Sequence, residues 1–92
     1  MYTRNDAANI NGTSFYNVVI VSSLEKMIDR FGPPMSGDGY KTKHEWVFEG
    51  PTRNDNVAVY DYHYDGAEMG EWNVGAQTYE SAIAFVKWYM GM

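Results

Sequence analysis

Ninety-two residues, with seven Lys and Arg against twelve Asp and Glu, make one small domain of net charge −5, long enough for one core and too short for two. That charge repels a phosphodiester polymer and argues against general binding of DNA or RNA. With no cysteine there is no disulfide, thiolate nucleophile or thiolate metal site, which fits a reducing compartment; no apolar run reaches membrane-spanning length, so the chain reads as soluble and intracellular, without a membrane partner.

Residues 1–11 are polar and read as a flexible N-terminal segment ahead of a single domain over 12–92. The segment runs into Asn11-Gly12, a turn dipeptide. "SFYNVVIVS", residues 14–22, is β-branched and nearly continuous, the pattern of a strand buried on both faces. Ser22 and Glu25 have the spacing of a capping box, which predicts that the first helix starts there. Leu24, Met27, Ile28 and Phe31 repeat on one face of that helix; Gly32 can supply a left-handed stop, and Pro33 and Pro34 forbid continuation.

After a loop over 32–39, residues 40–49 predict a second strand, the turn formers of "GPTRNDN" reverse the chain, and residues 56–64 predict a third. "EWNVG" is a short fourth strand. Thr78 then caps a last helix over 79–90, with Ala82, Phe85, Val86 and Tyr89 on its core face and Trp88 off it. The expected order is β-α-β-β-β-α: an α+β fold, with a four-stranded antiparallel sheet and two helices on one face.

One helix layer covers only one side of such a sheet. If Trp46, Phe48, Val57 and Val59 face the helices, the opposite side collects Lys43, Glu45, Val47, Ala58, Tyr60, Tyr62 and Tyr64. An apolar, tyrosine-rich second face is large for a monomer and predicts a homo-oligomer; the other reading leaves the tyrosines singly exposed on a twisted sheet.

Asp61, His63 and Asp65 alternate along the third strand, as metal ligands on one face can. Asp65 precedes Gly66, however, where Asp is an ordinary turn former, so the row reads as a solvated strand end and no metal or cofactor is expected. His44 beside Asp61 or Glu45 has the composition of an acid/base pair, but no nucleophile elbow or phosphate loop accompanies it. A surface histidine between lysines is the simpler reading, and no catalytic residue is assigned.

More informative are Lys41, Lys43, His44 and, across the loop, Arg53: a local concentration of cations in an acidic chain. Aromatic rings stack on bases and cations meet phosphates, a combination that suits one small nucleotide better than a polymer. The ligand-binding set is therefore Lys41, Lys43 and Arg53 for phosphates, Tyr60, Tyr62 and Trp72 for stacking, and His44 and Asn73 for polar edges. Trp72 has an alternative place in the core beside Val74, and Lys43 and Glu45 have one as cross-strand charge partners.

Phe31-Gly32-Pro33, Glu45-Trp46, Tyr60-Asp61-Tyr62 and Trp72-Asn73-Val74-Gly75, together with "INGTSF" near the start, resemble a group of small bacteriophage-encoded proteins over nearly the whole chain from Ile10 onward. That group in turn resembles the viral anti-CBASS sponges, which sequester cyclic nucleotide signals of bacterial immunity. The resemblance implies a non-enzymatic immune-evasion protein that captures a cyclic dinucleotide or trinucleotide in the cytoplasm of an infected bacterial host, in pockets shared between subunits. The pattern often has histidine after the tryptophan where this chain has Asn73, so a role tied to an imidazole there does not transfer. A second reading is an acidic inhibitor that blocks a host defence enzyme or mimics nucleic acid; a metal-dependent hydrolase using Asp61 and His63 is the third.

Overall fold

The computed structural model describes residues 1–36, 43–61 and 70–91. In chain order they form β1 (Thr3–Arg4), β2 (Ser14–Val21), α1 (Leu24–Phe31), β3 (Glu45–Glu49), a 3-10 turn (Arg53–Asp55), β4 (Val57–Tyr60), β5 (Glu71–Ala76) and α2 (Tyr79–Met90). The strands make one antiparallel sheet in the order β1-β3-β4-β5-β2. Among the described residues the fold is α+β with two helices, as expected. The sheet, however, has five strands among the described residues rather than four, and the element order becomes β-β-α-β-β-β-α. Among these residues no helix is long and apolar enough to cross a membrane.

The additional strand comes from within residues 1–11. Two residues carry no periodicity a sequence pattern can register. What places them is Tyr2, whose buried ring meets Phe85 edge-on at 5.0 Å and Trp88 at 5.3 Å. With that ring anchored, Thr3 and Arg4 fall opposite Glu49 and Phe48 along the outer edge of β3. Arg4 then donates to the Phe31 carbonyl at the end of α1, 2.8 Å away, and grips Asp6 through two nitrogens. A guanidinium at a helix C-terminus meets the carbonyls that the helix leaves without partners. Trp88, expected away from the core, is half-buried against it because this arm extends the core past α2.

Both helices cap as short helices must, with a hydroxyl taking a first-turn amide. At α1 the cap is Ser23, accepting from Lys26, one residue later than the expected Ser22; at α2 it is Thr78, accepting from Ser81. Gly32, at φ 86°, ends α1. Met27 and Phe31 of α1 and Ala82 and Phe85 of α2 bury against one sheet face, formed by Val18, Ile20, Trp46, Phe48, Val57, Val59, Trp72, Val74 and Ala76.

Strand β2 is not buried on both faces. It is an edge strand, paired only with β5, and its register slips between Phe15 and Val19 around Asn17, which sits at φ 64°. Phe15 and Val21 remain exposed on the sheet face away from the helices. The centre of that second face is not bare, because Val47 and Ala58 are only 2% and 3% exposed within the single chain.

Tyr2→Ala should lower the unfolding free energy by about 3 kcal/mol, the usual cost of deleting a buried aromatic ring, as read by urea denaturation. A stability equal to wild type would mean that residues 1–6 are not part of the cooperative fold.

Candidate functional site

At one end of the sheet the β3–β4 hairpin continues one residue past its ladder. Glu45 pairs with Tyr60, so His44 and Asp61 come directly opposite each other, and the Asp61 amide donates to the His44 carbonyl at 3.3 Å. Both belong to the row that holds Trp46 and Val59 and therefore lie on the helix side. Asp61 is fully buried and densely bonded: its Oδ1 accepts from the backbone amides of Lys43 at 2.9 Å and His44 at 3.0 Å, and its Oδ2 lies 2.8 Å from His44 Nδ1.

Burial alone would push the Asp61 carboxyl up. The hydrogen bonds from the His44 ring and from the His44 and Lys43 amides, with the attraction of the His44 charge, outweigh it and hold the group below its ordinary range. An ionised carboxylate in this place is thus the resting form near neutral pH.

His44 is held on two sides. Its ring stands edge-on to Trp72, 6.1 Å between centroids, and Nδ1 is taken by Asp61. Among the described residues Nε2 has no hydrogen-bond partner and is the nitrogen left for a ligand, an acceptor when the ring is neutral and a donor when it is protonated. Fixing one imidazole nitrogen with a buried carboxylate so that the other is presented is the way proteins set a histidine's tautomer and direction. Asp61 is therefore not part of a solvated strand end: of the two carboxylates considered for His44, Asp61 and Glu45, it is the one that pairs, as a buried anchor. The signal lay in the hairpin register: pairing Trp46 with Val59 places 44 opposite 61.

The other expected site residues are distributed as follows. Lys43 is exposed and directly precedes His44. Tyr60 and Asn73 are Cα partners on the opposite sheet face at the same end, and the Tyr60 ring lies over Gly75, where an added Cβ would sit 3.4 Å from Cε1. Trp72 takes the core alternative: it is fully buried, edge-on to Trp46 at 5.3 Å, with its indole N–H on the Ser22 carbonyl, and it has no face for a base to stack on. Arg53 is exposed on the turn at the other end of the hairpin, with the five residues of β3 between it and His44, about 17 Å of strand; one small ligand on His44 does not reach it. Lys41 and Tyr62 lie outside the described residues, as do His63, Tyr64 and Asp65. Among the described residues no three His, Asp or Glu side chains gather as metal ligands would.

Because the folded state holds the Asp61 carboxyl below its unfolded value, its contribution to stability is complete above the unfolded pKa of about 3.9. It is lost as pH falls through the lower folded value. Asp61→Asn should cost about 1–3 kcal/mol at pH 7 and flatten this part of the acid-unfolding curve. An unchanged curve would show that Asp61 is not paired as described. Compared with family models, curated proteins and solved structures, the chain matches none, so the role of this pair is read from its own chemistry.

Proposed function

We propose that the protein is a non-catalytic binding protein for a small nucleotide anion, a cyclic dinucleotide or trinucleotide, acting as a sponge that evades bacterial immunity. The observation that carries the reading is the buried Asp61 carboxylate holding His44, with Lys43 next in the chain. In an acidic protein two consecutive residues able to bear positive charge, one with its ring fixed in direction, favour a single phosphate group over a polymer.

In this reading His44 Nε2 and Lys43 meet a phosphate, while Tyr60 and Asn73, at the same end but on the opposite face of the sheet, lie outside that contact. Trp72 serves indirectly, by supporting the His44 ring from the core. Arg53 is not part of the pocket. A histidine fixed by a carboxylate suits anion capture and general-base chemistry alike, and recovery of the ligand intact distinguishes the two.

Thermal-shift measurements against a panel of cyclic dinucleotides and trinucleotides test the proposal. At a hundredfold excess over Kd a ligand stabilises by about 2.7 kcal/mol, or roughly 10 °C and more for a domain of this size. At least one cyclic nucleotide should produce such a shift and be recovered intact, and His44→Ala should weaken it at least tenfold. No shift with any member of the panel would refute the proposal, and progressive loss of the nucleotide would make the protein an enzyme.

A further inference from the structure

The two edges of the sheet are built differently. The edge at β3 is blunted by two short segments: β1, whose Arg4 is committed to Asp6 and Phe31, and Met35, which bridges Glu45 through two backbone hydrogen bonds. The edge at β2 has no such cover among the described residues. Natural edge strands are protected by charge, proline or shortness, and residues 7–24 contain neither a charged side chain nor proline.

The register fixes which backbone groups this edge presents. The Ser22 amide donates to the Gly70 carbonyl across the pair that continues Ile20↔Trp72. Hydrogen-bonded and non-bonded pairs alternate in an antiparallel ladder. Val19 and Val21 are therefore the non-bonded pairs with β5, and their N–H and C=O groups point away from the sheet. Beside them runs an apolar cleft of about 260 Å³, lined by Val19, Ile20, Val21, Val86, Tyr89 and Met90. Val21 and Met90 are each 77% exposed.

We infer that β2 is the interface with a second copy of this chain, the two β2 strands pairing antiparallel about a two-fold axis at Ile20. Of the registers these outward groups allow, the one with Val19 of one copy facing Val21 of the other uses both residues of each copy, which gives four new backbone hydrogen bonds and sets the two Ile20 residues together at the axis. The segment Val19-Ile20-Val21 reads the same in both directions, as an isologous contact requires. On the helix side the two clefts merge across Ile20, bringing the exposed Met90 side chains over a shared apolar surface. On the other side each Val21 gains a valine neighbour. A copy of net charge −5 can approach another here because the contact itself is neutral. The pairing closes after two copies: the left-handed Asn17 interrupts the strand on one side, and the blunted β3 edge does not accept a third. The resulting sheet has ten strands, and the His44 pairs lie outside the contact, so this inference stands independently of the ligand.

Sedimentation equilibrium or light scattering at about 100 μM tests it. Wild type should have twice the monomer mass. Val21→Lys, a charge on the outer face of the edge, and Val19→Pro, which removes an outward N–H and is tolerated at an edge, should each raise the dimer dissociation constant at least tenfold. Circular dichroism should show both variants folded, and if Val19→Pro unfolds, Val21→Lys alone carries the result. A wild-type monomer at this concentration, or a dimer that survives folded Val21→Lys, would overturn the inference.

Discussion

The fold is organised by two buried indoles that hold the ends of α1. Trp46 on β3 donates to the Gly32 carbonyl just after the helix, and Trp72 on β5 donates to the Ser22 carbonyl just before it, each at 2.8 Å, with the two rings in edge contact at 5.3 Å. An eight-residue helix does not hold itself in water, so α1 exists because the sheet grips both its flanks. The same bonds make it affordable to bury the indoles completely, since an indole N–H without a partner in the core would cost much of what the ring area contributes. Trp72 also packs nearly perpendicular to the His44 ring, so the element that fixes the helix also sets one wall of the histidine site.

The site is an outgrowth of the core row. Along β3 and β4 the helix-facing positions run from apolar, Phe48 with Val57 and Trp46 with Val59, to polar at the next pair, His44 with Asp61. Asp61 is tolerated without solvent because two backbone amides and an imidazole occupy its oxygens; a buried carboxylate short of such partners would take up a proton instead. The polar step is therefore specific: three donors converge on one side chain, and one ring emerges with a defined direction.

Much of the layer arrangement was legible in the sequence. Helical spacing identified the core faces of α1 and α2, residue type identified Thr78 as a cap, and strand alternation put Trp46, Phe48, Val57 and Val59 on one face. What escaped had physical reasons. A two-residue strand has no period, and its place depends on Tyr2 reaching Phe85, a contact between the two ends of the chain. The β-branched run over 14–21 reads the same whether a strand is central or at an edge, because exposure on the free side is decided by strand order. Trp72 alternates in a way that either assignment satisfies, and the register resolves it to the core face, while Tyr60 lies on the opposite face as its alternation with Val57 and Val59 implies. Asp61 was misjudged for the converse reason: a carboxylate is priced as exposed until its donors, from residues 17 and 18 positions earlier, are brought to it.

Long-range 1H–15N spectra of the His44 imidazole, recorded with and without a stabilising cyclic nucleotide, bear most directly on this picture. With Nδ1 engaged by Asp61, the neutral ring should carry its proton on Nδ1, and ligand should shift the Nε2 resonance while leaving the Nδ1 proton bonded. A ring protonated on Nε2 in the neutral state, or a His44 resonance unmoved by a nucleotide that stabilises the protein, would contradict it.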